Sequence, residues 1–191
     1  MALYHFSVRH VSRGKGQMVV ASAAYISGQR IFDSYYNKIH DYTSKSGVVF
    51  TEILTPEYVP ERLTDRETLW NEVEHVERNN KAQLAYSFDI ALQNELTLEE
   101  NIRLAKEFCQ EQFVARGMIV DLAIHEGKSD NEEEPDNPHF HVLVPIRPFT
   151  EEGIWGNKQR REYILDEDGN RVKDAKGKDM FNAVSTTGWN D

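Results

Sequence analysis

One cysteine in 191 residues, Cys109, leaves no intramolecular disulfide and no thiolate metal cluster to consider. It falls in a stretch read below as helix, where a small core residue is the common role and a nucleophile the rarer one. Long apolar runs are missing too: none approaches the roughly 18 residues of a membrane span. The opening Met1-Ala2-Leu3-Tyr4-His5-Phe6 lacks the extended apolar stretch of a signal peptide. These absences predict a cytoplasmic protein with no membrane insertion. Internal repeats are absent, and the one biased tract, Asp130-Asn131-Glu132-Glu133-Glu134-Pro135-Asp136, reads as a solvated acidic loop. Positive charge is also short. Lys and Arg number 22 against 32 Asp and Glu, a net charge of −10 that argues against phosphate binding over the whole surface. The distribution softens the objection, because Arg9, Arg13, Lys15, Arg30, Lys38 and Lys45 face only Asp33 and Asp41 within residues 1–50. A nucleic-acid face in that quarter is permitted, not established.

What is present suits one globular domain, with 39% apolar and 28% charged residues. Leu3 to Val11 alternates as a first strand, and Arg13-Gly14-Lys15-Gly16 is a turn too short for a phosphate-cradling loop. Ser22 to Ser27 reads as a short small-residue helix closed by Gly28. Tyr35 to Ser46 is polar and aromatic without a period, and Val48 to Leu54 is a short strand. Thr64-Asp65-Arg66-Glu67 fits a capping box that opens a helix to about Asn79. Gln83 to Leu92 alternates as a strand. A second capping box, Thr97-Leu98-Glu99-Glu100, starts a helix that stops at Gly117. Two apolar strands follow, and beyond Pro148 the chain turns polar, with hairpin turns at Asp168-Gly169 and Lys176-Gly177. The pattern predicts an antiparallel sheet covered by helices on one face.

The most informative segment is Asn137-Pro138-His139-Phe140-His141. At strand period 2, His139 and His141 share one face while Phe140 enters the core. Such a pair is also ordinary surface polar chemistry. His125 changes the reading, because it ends the apolar run Met118 to Ile124 and can reach the same face from a neighbouring antiparallel strand. Three neutral imidazoles leave open positions on a divalent ion, the arrangement of a catalytic metal site. Asp121 shares the strand face of His125. It is either an acceptor for a ligand imidazole N–H or a plain solvent-facing carboxylate.

These segments together resemble the relaxase domain of the MobA/MobL family of conjugative mobilisation proteins, within the HUH endonucleases (His-hydrophobe-His). The resemblance runs over essentially the whole chain. It includes Tyr4-His5-Phe6, Ala23-Ala24-Tyr25-Ile26-Ser27-Gly28-Gln29-Arg30, Asp41-Tyr42, Leu69-Trp70-Asn71, Gly117 to His125 and Asn137 to His141. It implies an α+β fold with a five-stranded antiparallel sheet, helices packed on it in a permuted ferredoxin- or RRM-like arrangement, and the metal on central strands. It implies one domain over 1–191, with 150–191 as a polar hairpin-containing appendage. The closing Trp189-Asn190-Asp191 resembles the start of a further family helix, implying later DNA-binding or partner regions beyond this chain.

By position, the resemblance makes Tyr25 the nucleophile and His125, His139 and His141 the metal ligands. It implies a nicking and strand-transfer enzyme acting on single-stranded or hairpin DNA at an origin of transfer, alongside accessory relaxosome and coupling proteins. A tyrosine nucleophile yields a 5′-phosphotyrosyl strand and a free 3′-hydroxyl, keeping the phosphodiester energy for rejoining. One departure stands out. Where the family commonly has an Arg-Glu pair, this chain has Tyr86 and Ser87; Asp89, on the face of Ser87, is the candidate replacement for the acidic helper. Manganese or magnesium is the ion implied, with nickel, cobalt or zinc compatible with imidazole. Candidate DNA contacts are Arg9, Arg13, Lys15 and Arg30, and a second cluster of Lys158, Arg160 and Arg161 around Trp155 and Tyr163. Two rival readings are an origin-binding module that does not cut and a metal-dependent hydrolase in which Tyr25 is structural.

Overall fold

Alternation along the strands decides which side chains meet which layer. The computed structural model describes residues 5–127 and 136–189. In it, β1 (Phe6–Ser12) leads to α1 (Val19–Ser27), the short strands β2 (Arg30–Asp33) and β3 (Lys38–Asp41), and β4 (Val48–Leu54). Then come α2 (Arg66–Val76), β5 (Gln83–Ala91), α3 (Leu98–Gln112), β6 (Val120–His125), β7 (His139–Pro145), β8 (Gln159–Tyr163) and β9 (Phe181–Ser185). Five strands form an antiparallel sheet in the order β1-β5-β7-β6-β4, the α+β architecture expected. Tyr4, the acidic stretch 130–135, and Asn190 with Asp191 lie outside the described residues.

Helices cover both faces of this sheet, which corrects the one-sided arrangement. α1 and α2 pack on Ala85, Ala123 and Leu143, while α3 packs on Leu122, Ile124, Val142 and Val144. The physical reason is legible in β6 and β7, whose residues are nearly all buried on both sides. A strand covered on two faces reads as a continuous apolar run rather than a clean alternation. Cys109 is buried in the α3 layer, and burial pushes its thiol up to about 12, so it is inert packing.

Three further elements differ from expectation. β2 and β3 pair as a small hairpin where no period was visible, turning at Asn37 with φ +50°. Its inward side mixes apolar and polar groups: beside Ile31, Asp33 and His40 are buried together, His40 Nε2 lying 3.3 Å from Asp33 Oδ2. α1 begins three residues earlier than predicted, with Val19 and Val20 fully buried. α2 is capped by Asp65, which accepts from the Thr68 N–H at 2.9 Å, whereas Thr64 donates its hydroxyl to the Glu61 carbonyl in the preceding turn. The second capping box forms as read, with Thr97 and Glu100 bonded reciprocally. Beyond β7, the chain folds into a ribbon closed by β8 and β9, with turns at Gly169 and Gly177. Among the described residues no helix is long and apolar enough to cross a membrane.

Candidate active site

The two central strands bring the histidines together. In the β6–β7 ladder His125 lies opposite His139, and Ala123 opposite His141, so all three imidazoles rise from the α1/α2 face. Their ring centroids are 4.6–5.2 Å apart, and one nitrogen from each lies within 4.8 Å of the others. Two nitrogens bound about 2.1 Å from a shared ion span at most about 4.2 Å, so small side-chain rotations gather all three.

Backbone carbonyls set which nitrogen is offered. His125 Nε2 is 2.7 Å from the Ile26 carbonyl oxygen, and His139 Nδ1 is 2.8 Å from that of Asn137. A carbonyl only accepts, so each of these ring nitrogens carries the hydrogen. Nδ1 of His125 and Nε2 of His139 are thereby left as free lone pairs for a metal. Asn137 is itself held from below, its N–H donating to the Gly127 carbonyl at 2.9 Å. Gly127 has φ +56°, and a Cβ there would sit 2.0 Å from the Asn137 oxygen, so only glycine allows this approach.

Electrostatics favour the neutral form of His125 and of His141. Burial is the largest influence lowering the His125 pKa, opposed by the Ile26 carbonyl and helped by Lys45. His141 is pushed down from 6.5 to about 4, first by burial and then by its imidazole neighbours, with Asp89 pulling the other way. Neutral imidazole is the form a metal requires. Between these two values the unfolded chain binds a proton at this position and the folded chain does not, so native stability rises with pH there. The metal-free protein is therefore expected to lose melting temperature as pH falls from 6.5 towards 4, flattening below. His141→Gln should reduce that slope; an unchanged slope in the variant would contradict the assignment.

Tyr25 lies across from this cluster on α1. Ala23 and Ala24 bury completely and Gly28, at φ +63°, ends the helix, while Tyr25 stays 51% exposed. A cleft of about 420 Å³ is lined by Tyr25, Tyr42, Arg9, Ser87, Asp89 and His141, among others. The structure thus gathers Tyr25, one histidine and the β5 residues Ser87 and Asp89 around one opening. Asp89 lies directly opposite His141 in the β5–β7 ladder, on the same face.

Other predicted residues are elsewhere. Asp121 is fully buried and accepts from Arg66 Nε at 2.9 Å, Arg66 Nη2 at 2.8 Å and Trp70 Nε1 at 2.8 Å. Its carboxylate serves the sheet–α2 contact and not an imidazole. Arg13 is also buried, donating to Glu74 Oε2 at 2.6 Å and to the Glu74, Glu77 and Asn79 carbonyls, which removes it from the DNA-contact set. Lys158 leaves that set too, tied to Glu77 Oε1 at 2.8 Å and to the Gln83 carbonyl. Trp155 donates to Glu72 and packs on Phe149 instead of offering a stacking face. Lys15 is exposed in the turn after β1, and Arg30 is exposed beside Asp41 at 3.6 Å. Arg160 pairs with Glu162, and Arg161 lies 4.6 Å over the Phe181 ring, both on the distal ribbon rather than the Tyr25 cleft. Gly127 carries no signal in the sequence, and Lys45 and Tyr42, marked there only by charge and by the resemblance, show no site role because they lie in turns without periodicity.

The MobA/MobL family pattern matches residues 17–191. The chain is 36% identical over 202 residues to the conjugal transfer protein TraA of Agrobacterium fabrum, covering 100% of this chain and 18% of that protein. It is 36% identical over 174 residues to a probable mobilization protein MobA of Bifidobacterium longum, covering 90% of this chain and 30% of that one. The chain thus spans less than a third of either relative's length. A solved structure described as "Molecular Basis of Vancomycin Resistance Transfer in Staphylococcus aureus" superposes with a TM-score of 0.75 at 38% identity, over 83% of this chain and 78% of that chain.

Proposed function

The chain belongs to the MobA/MobL family, and on that premise we propose that it is a site- and strand-specific DNA nicking domain for conjugative mobilisation, with Tyr25 as nucleophile. The observation that carries the reading is that Tyr25 and His141 open onto one cleft while His125 and His139 complete a three-imidazole cluster beside it. The Tyr25 oxygen attacks the scissile phosphorus, the bond to the 3′ oxygen breaks, and the strand remains as a 5′-phosphotyrosyl ester with a free 3′-hydroxyl. The phenol proton is released as the ester forms, and the departing 3′ oxygen takes one up. The reverse attack by a 3′-hydroxyl restores the phosphodiester.

His125, His139 and His141 would hold the divalent ion, manganese or magnesium in the cell, which supplies polarisation of the phosphate and stabilisation of the leaving oxygen. Asp89 replaces the family's glutamate by its negative charge beside His141. Arg9 lines the cleft and is the first candidate phosphate contact; Lys15 and Arg30, exposed outside that lining, and Arg160 and Arg161 on the ribbon are further candidates. The substrate is single-stranded or hairpin DNA at an origin of transfer, met together with accessory and coupling proteins.

The test is a trapping assay. The protein is incubated with Mn²⁺ and single-stranded oligonucleotides tiling its element's transfer origin, then denatured and digested. Nucleotide mass on the peptide containing Tyr25 is the expected result. Cleavage without any protein-linked nucleotide would instead assign the hydrolase reading, and binding without cleavage the recognition module.

A further inference from the structure

The turn that follows β3 reaches back over the nucleophile helix. Asp41 Oδ1 accepts from the Thr43 N–H at 3.1 Å and from its hydroxyl at 2.7 Å, and the Lys45 N–H closes the turn on the Tyr42 carbonyl at 2.9 Å. The start of the turn is fixed to the end of α1, because the Tyr42 N–H donates to the Gln29 carbonyl. So built, the turn presents two side chains to Tyr25. Tyr42 meets the ring edge-on at 5.4 Å between centroids. Lys45 Nζ lies 3.7 Å from the ring centroid and donates to the Tyr25 backbone carbonyl at 3.0 Å.

We propose that Lys45 is a positioning residue for Tyr25, fixing its ring through the main-chain bond and stabilising the phenolate through the ammonium held on the ring face. The catalytic consequence rests on the nicking reading above; the electrostatic one does not. An ammonium over an aromatic face is attracted by the ring's quadrupole, and the attraction grows once the ring bears negative charge. A cation within about 4–6 Å of an acidic group favours its ionised form. Partial burial of Lys45 thins the water between charge and ring, and the same burial draws the Lys45 pKa down from its ordinary value. The charge helps in both directions of strand transfer, when the phenol attacks and when phenolate departs. Other charged or titratable groups around the same opening are Arg9, Asp89, His141 and Tyr42.

The test uses the whole chain with 3-fluorotyrosine placed at position 25, metal-free, with the ¹⁹F resonance position and line width read at neutral pH. Lys45→Met, which keeps the stem but drops the charge and the main-chain bond, is expected to move and broaden the ¹⁹F resonance, and Lys45→Arg to restore it. Parallel single-turnover nicking at saturating oligonucleotide should slow about tenfold in Lys45→Met with little change in DNA affinity. An unchanged ¹⁹F resonance in Lys45→Met overturns the proposal, as does a loss confined to DNA affinity. If the resonance moves as expected and neither wild type nor variant forms an adduct, the nicking reading falls while the Lys45–Tyr25 coupling stands.

Discussion

Tyr25→Phe is expected to abolish covalent DNA attachment while leaving the fold and metal affinity unchanged. The substitution removes one oxygen from a half-exposed residue whose contacts are through its ring face, its ring edge and its main chain. Among the described residues no hydrogen bond is made by that hydroxyl, so its loss strands no buried partner. Phenylalanine keeps the packing against Tyr42 and Lys45, and the effect falls on chemistry alone. Removal of a nucleophile lowers turnover by at least about four orders of magnitude where it reacts covalently. Denaturing electrophoresis with end-labelled oligonucleotide reads both adduct and cleaved strand. Cleavage that persists in Tyr25→Phe at the wild-type rate would make water the attacking group and Tyr25 a structural residue. Manganese titration by calorimetry should give wild-type affinity in the same variant.

The second large effect belongs to stability. Asp121→Ala is expected to cost about 3–5 kcal/mol, because it leaves the Arg66 guanidinium buried without its counter-charge. Burial by itself pushes the Asp121 carboxyl up, and Arg66 and Trp70 draw it back. All its contacts come from N–H donors, and only an ionised carboxylate can accept every one of them. In a chain of this length each kcal/mol moves the melting temperature by roughly 2–4 °C, so a fall on the order of 10 °C follows. Differential scanning calorimetry would measure it. Were Asp121→Ala to melt like wild type and lose only metal affinity, Asp121 would be the histidine's helper after all.

Strand spacing explains why that aspartate was misread. Asp121 and His125 share a face, but four residues at about 3.3 Å each separate them by about 13 Å. Asp89 is distant from His141 along the chain, on a strand that precedes α3, yet the ladder sets the two directly opposite each other. Periodicity reports which face a side chain takes; it does not report which neighbour waits there. The histidines were legible because residues two apart on one strand must point the same way. The acceptors that orient two of them were not, since the Ile26 and Asn137 carbonyls leave no mark on side-chain identity. The β2–β3 hairpin escaped for a different reason. Its inward positions include Asp33 and His40, so an apolar-in pattern never formed. α1 lacked a start signal because its cap residue, Met18, makes no side-chain hydrogen bond. By contrast β5 and α3 announce themselves through alternation and a reciprocal cap.

The bond from His125 to the Ile26 carbonyl joins the ligand strand to the residue immediately after Tyr25. Were the three imidazoles to hold the proposed ion, its charge would draw electron density from the His125 ring and make the Nε2–H a stronger donor to that carbonyl. Ion occupancy and the seating of the last turn of α1 would then be linked, and linkage is reciprocal: what tightens one tightens the other by the same factor. A DNA strand esterified to Tyr25 and anchored along the cleft would accordingly slow escape of the ion. The covalent intermediate would keep its own means of resealing for as long as the strand stays attached.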